Sequence, residues 1–139
     1  IGLVGSEMCI RDRANKRIFV SFPEQDENLR DLLVGQSKNT NSPFDFTDMS
    51  VHKPWDNAWK TKCRIKIKSC DGLIAIITPN TLNADGQIWE INCADEEDVP
   101  ILCIKTSEYI PGDKTKAKIG NRRKFNWDWD TIKNFIEGL

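Results

Sequence analysis

Glu90 stands apart from the other carboxylates of this chain. It lies between Trp89 and Ile91, and helical spacing sets it among the apolar positions Ile88, Ile91 and Ala94. A carboxylate that faces a crevice from the early turns of a helix can hold sugar hydroxyls. It can also stabilise the oxocarbenium-like centre that forms as a glycosidic bond breaks. The same residue turned outward would only favour the dipole at its helix N-terminus. Position along the chain leaves both open.

The other chemistry-bearing residues are fewer than composition suggests. Glu24 and Asp26 follow the first apolar run and Asp48 follows the second. Carboxylates at strand ends hold magnesium in phospho-accepting receiver domains, but those need an aspartate after the central strand. Here that strand runs into Thr78-Pro79-Asn80-Thr81. No GxGxxG or P-loop sequence follows the first strand, which disfavours dinucleotide and Walker-type sites. No GxSxG elbow is present, and a Ser-His-Asp triad would depend on His52, the single histidine, which reads as a surface residue in a polar loop. One histidine also excludes a zinc site built on several, and the five cysteines contain no CxxC pair. Trp55, in the loop Val51–Asp56, either stacks on a base or anchors its loop. The basic run Lys60–Lys68 reads as a solvated helix face, and Asn121–Lys124 as a phosphate contact or nothing.

Positioning such residues requires the elements that the hydrophobic pattern marks out. Ile18, Phe19, Val20 and Phe22 form a nearly continuous apolar run, as in a strand covered on both faces. Asp26 or Asn28 is expected to cap a helix carrying Leu29, Leu32 and Leu33, with a loop over 37–43. Phe44–Thr47 reads as an edge strand. Trp59, Cys63, Ile67 and Cys70 form one stripe of a second helix that ends at Asp71-Gly72. Leu73–Ile77 has the signature of a central strand, followed by polar loop over 78–86 and a helix from Gln87 to Glu97. Ile101–Ile104 is a further strand. Residues 105–124 are polar, compatible with a loop, a short helix or a weak strand. Trp129, Ile132, Phe135, Ile136 and Leu139 mark a C-terminal helix. Alternation of this kind predicts a doubly wound parallel α/β sheet with helices on both faces. Ligands of such sheets bind outside the carboxyl ends of the strands, which selects the loops after Phe22, Thr47, Ile77 and Ile104.

The 139 residues suit one domain. With 20 basic against 21 acidic residues, nothing electrostatic points to nucleic acid or a membrane surface. Cysteines odd in number and without a secretory signal suit reduced thiols and a cytoplasmic protein. Residues 4–13, Val-Gly-Ser-Glu-Met-Cys-Ile-Arg-Asp-Arg, resemble translated sequencing-adapter read-through. Residues 1–13 are therefore expected to be non-native and disordered, leaving 14–139 as the domain.

Several segments, in order and spacing, carry a resemblance. They are Lys16–Phe22 with Asp26 and Leu29–Leu33; Phe46–Ser50 with Pro54-Trp55; Cys70–Ile77 followed by Asn80-Thr81; and Trp89-Glu90-Ile91 with Ala94. Together they resemble the TIR-like domain of Thoeris antiphage-defence proteins of the ThsB type, over essentially residues 16–139. The resemblance implies a flavodoxin-like, five-stranded parallel sheet. It also implies NAD as substrate rather than cofactor, with nicotinamide released and a cyclic ADP-ribose-type messenger made for a partner effector. By motif match Glu90 takes the catalytic place, and Phe22, Ser50, Trp55, Asp48 and Asn80 are substrate-binding candidates. No metal is implied. TIR surfaces also imply homo-oligomers, and many TIR domains are non-catalytic interaction modules. Where many such sequences carry a serine or tryptophan a few residues before the glutamate, this chain has Gly86-Gln87-Ile88.

Overall fold

The structure, a computed structural model, describes residues 16–39, 45–47, 57–106, 116–120 and 122–139. Residues 1–13 and the segment 48–56, with Asp48, Ser50, His52 and Trp55, lie outside the described residues. Strand β1 (Arg17–Ser21) leads through a 3-10 turn (Glu24–Asp26) into helix α1 (Glu27–Asn39). Then come β2 (Asp45–Thr47), α2 (Asn57–Lys68), β3 (Gly72–Ile77), a second 3-10 turn (Pro79–Asn83) and α3 (Asp85–Glu96). The chain closes with β4 (Ile101–Lys105), α4 (Lys116–Ile119), β5 (Lys124–Asn126) and α5 (Trp129–Glu137). The strands lie side by side in the order β2-β1-β3-β4-β5, each neighbouring pair parallel.

Why the sheet forms here follows from its residues. Every residue of β3 is buried, and its β-branched, apolar composition suits a strand with helices above and below. Full burial of each Leu or Ile in it contributes about 1.5–3 kcal/mol. Side chains along β1 alternate between two cores. Ile18 and Val20 join Ile74, Ile76, Leu102 and Ile104 beneath Leu33 of α1 and Ile132 and Ile136 of α5. Phe19 joins Leu73, Ala75, Ile77 and Cys103 beneath Cys63 and Ile67 of α2 and Ile91 and Ala94 of α3. Register between β1 and β3 is clipped at its start: the Arg17 amide donates to the Asp71 carboxylate at 2.8 Å, and the Asp71 amide to the Arg17 carbonyl at 2.7 Å.

The parallel α/β sheet with both faces covered is as the alternation requires. The Trp59, Cys63, Ile67 and Cys70 stripe is buried, and Cys63, Cys70, Cys93 and Cys103 are all free thiols in one core. Three expectations need correction. Leu32 is 52% exposed, because the helix turns Leu33, not both leucines, toward the sheet. Helix α1 runs on to Asn39, into the stretch 37–43 that read as loop, and Ser37 returns its hydroxyl to the Val34 carbonyl at 2.8 Å. Asp26 does not cap α1. Its carboxylate crosses to the loop after β3, as described below. The polar stretch 105–124 holds both α4 and the start of β5, which pairs with β4 at the sheet edge.

Candidate active site

Strand order locates the winding reversal of the sheet. From β1 the chain steps outward to β2, then crosses back over β1 to β3, so the direction of winding reverses between β1 and β3. Ligands of open α/β sheets bind at such a reversal, outside the carboxyl ends of the strands. Here those ends are Ser21 and Ile77.

Glu90 faces inward at this point. It is 3% exposed. Ser21 Oγ donates to its Oε1 at 2.7 Å, and Cys63 Sγ stands 3.7 Å from its Oε2 as a donor. The solvated helix glutamate is thereby excluded. Taking a carboxylate out of water is costly unless it is hydrogen-bonded, and these two donors offset part of that cost. Burial pushes the Cys63 thiol well above its ordinary range, and the neighbouring Glu90 charge pushes it further. The thiol therefore keeps its proton at neutral pH and serves as a donor, not as a second buried anion.

Around Glu90, side chains stitch the strand ends together. Gln87, one helical turn earlier on α3, is 2% exposed, and its Nε2 donates to the carbonyls of Ser21 at 3.1 Å and Ile76 at 2.7 Å. Above them, Thr78 opens the 3-10 turn as a reciprocal cap. Its Oγ1 accepts from the Asn80 amide and its own amide donates to Thr81 Oγ1, both at 3.0 Å. Thr78 Oγ1 also donates to Asp26 Oδ2 at 2.6 Å, while Asn80 Nδ2 lies 3.2 and 3.3 Å from the two Asp26 oxygens. The loop after β1 is thus latched to the loop after β3.

No protein-family model matches the chain, and no curated protein matches its sequence. What the site can do is read from its own groups. A buried carboxylate at a winding reversal, with Ser21 and Cys63 among its donors, suits stabilising positive charge that develops on a ligand. Among the described residues no three His, Cys, Asp or Glu side chains converge as a metal site.

The site residues expected from sequence are only partly brought together. Asn80 lies in the 3-10 turn after β3, but its side-chain amide is engaged by Asp26. Phe22 follows the end of β1 and packs with the core on the α1 side, the opposite face of the sheet from Cys63, with the Arg30 guanidinium 5.6 Å from its ring centre. Alternation along β1 accounts for this: Ser21 takes the Glu90 side, so Phe22 takes the other. Ser50, Trp55 and Asp48 lie outside the described residues. Trp59 and Trp89 pair at 5.2 Å between ring centres, tilted by 58°, and serve as packing between α2 and α3. Sequence reasoning passed over Ser21, Gln87 and Cys63. Ser21 did leave a signal, as the single polar residue inside an otherwise apolar run.

Proposed function

We infer that the chain is a TIR-like NAD-cleaving enzyme of bacterial antiphage defence, with residues 14–139 forming a flavodoxin-like, five-stranded domain that acts in the cytoplasm. The sheet order supports the flavodoxin-like reading, since 2-1-3-4-5 is the order of that fold. The single observation that carries the enzymatic reading is the Glu90 carboxylate, buried at the winding reversal and held by Ser21.

In this reading NAD lies across the ends of β1 and β3 with its nicotinamide ribose toward Glu90. The bond from ribose C1′ to the pyridinium nitrogen breaks, and its electron pair leaves with nicotinamide, neutralising the pyridinium. Positive charge develops on the ribosyl ring, where Glu90 stabilises it and holds the ring hydroxyls. A nitrogen of the adenine part closes on C1′ to give a cyclic ADP-ribose-type messenger, or water does so with loss of a proton. The messenger diffuses to an effector protein. Homo-oligomers form through the domain's outer surfaces. Ser50, Trp55 and Asp48 belong to the substrate-binding set by resemblance alone.

One observation favours a second reading, a non-catalytic interaction module. Glu90 already has protein donors and almost no exposure, as a purely structural buried carboxylate would. Incubating the full chain with NAD separates the two. The enzymatic reading expects nicotinamide release by the wild type and its loss in Glu90→Gln. Equal release by both proteins would remove Glu90 from the chemistry.

A further inference from the structure

The two bonds from Gln87 play no part in the chemistry above, yet one of them ends on Ser21, the residue that holds Glu90. Both acceptors are backbone oxygens at the C-terminal ends of adjacent strands, so the amide must present its NH2 group to them. Its Oε1 has no partner among the described residues. Leaving a buried acceptor unmet costs about 1–3 kcal/mol. A methionine would fill similar space without that cost, so packing does not account for a glutamine here.

We propose that Gln87 is a positioning residue for Glu90 that acts through Ser21. Residues 87 and 90 lie on one face of α3. Gln87 grips the main chain of Ser21, and the Ser21 hydroxyl grips Glu90 Oε1. Strand end and helix are thus joined at two points one turn apart, and Ile76 extends the grip to β3. This ring sets where the Ser21 hydroxyl stands and hence the rotation of the carboxylate. Without Gln87 the end of β1 shifts against α3, and a displacement below an ångström breaks a 2.7 Å hydrogen bond. Catalysis by such a site depends on that placement. The proposal rests on Glu90 being the charge-stabilising group, but the Cys63 contact supplies a readout independent of activity.

The test uses the full chain and the variants Gln87→Met, Ser21→Ala and Ser21→Thr. Nicotinamide release gives kcat and KM. The S–H stretching band of Cys63 in the Raman spectrum, assigned by its loss in Cys63→Ala, reports whether the thiol still donates to Glu90. Gln87→Met and Ser21→Ala are expected to lower kcat about tenfold or more while KM stays within about threefold, with Ser21→Thr restoring the rate. In the first two variants the Cys63 band moves to higher wavenumber as the thiol loses its carboxylate acceptor. Should Gln87→Met not fold, Gln87→Asn replaces it, keeping a buried amide one methylene short of the carbonyls. A Cys63 band at the wild-type position in the Gln87 variant overturns the proposal. If the wild type releases no nicotinamide, the NAD reading falls and the band still decides the positioning role.

Discussion

Ser21 Oγ and Glu90 Oε1 stand 2.7 Å apart, although 69 positions of chain separate the two residues. The bond joins the last residue of β1 to the middle of α3, and it turns a helix glutamate into a buried carboxylate.

Removing its donor leaves an under-satisfied buried charge. Ser21→Ala is expected to lower stability by about 1–3 kcal/mol. Glu90→Gln, which keeps an acceptor for the Ser21 hydroxyl, is expected to cost less. Chemical denaturation of the two single variants and the double variant measures this, and strict additivity would mean that the Ser21 hydroxyl contributes no more beside the carboxylate than beside the amide.

The Asp26 latch makes a second prediction. Asp26→Ala frees Thr78 Oγ1 and Asn80 Nδ2, the donors that tie the loop after β3 to the loop after β1. Amide exchange of residues 78–83 is expected to speed up while that of β3 stays slow, because local opening costs less than global unfolding. Unchanged exchange in 78–83 would show that the cap within the 3-10 turn suffices.

Buried thiols set an alkaline limit to stability. Burial pushes Cys93 and Cys103 from an ordinary 9.0 up to about 11. A group whose folded-state value is raised keeps its full contribution below the unfolded value and loses it as pH rises toward the folded one. Unfolding free energy is therefore expected to decline from about pH 9 toward pH 11. The decline should be shallower in Cys103→Ala than in the wild type, and denaturation curves at fixed temperature across that range are the measurement.

Helix α3 ends with a non-glycine residue in the left-handed region, Asp98 at φ 57°. The Val99 amide there bonds back to the Ala94 carbonyl at 2.9 Å, as in a helix C-terminal motif that favours glycine. Aspartate also places negative charge at the wrong end of the helix dipole. Asp98→Gly is expected to raise stability by about 0.5–1 kcal/mol, net of the added backbone freedom of the unfolded chain. A lower midpoint in thermal unfolding would contradict this.

Arg64 binds α2 to α3 through Glu96 at 3.0 Å and Glu97 at 2.6 Å, with its guanidinium 5.6 Å from the Trp89 ring centre. Because these groups are partly exposed, Arg64→Ala is expected to cost only about 1 kcal/mol, and less in high salt. Arg64→Lys should recover little of it, since an ammonium cannot bridge both carboxylates and lie flat on the indole. Urea midpoints at two salt concentrations check both statements.

Much of the fold was legible in the residues because burial writes itself into spacing. Leu73–Ile77 reads as a central strand for the same reason that it is one: both faces are covered, so no polar alternation is allowed. The stripe from Trp59 to Cys70 marks the buried side of α2 in the same way. Leu32 misled because an i, i+3, i+4 pattern does not say which of two adjacent leucines meets the sheet. Asp26 misled because a short carboxylate before a helix is a natural cap, and nothing local announces that Thr78 and Asn80 will compete for it. Phe22 reads as a crevice residue by position along the chain, yet the pleat turns it to the α1 side.

From the sequence alone came the element order, the parallel sheet, the buried face of α2 and the choice of Glu90 as the pointed carboxylate. All of these follow from local periodicity and from the burial of apolar side chains. Tertiary structure alone decided that Glu90 points inward, that Ser21 and Cys63 donate to it, and that Gln87 and Asp26 tie β1 to β3. Those bonds span 11 to 69 positions of chain. They depend on which strands become neighbours when the chain crosses back over β1, and no local pattern encodes that.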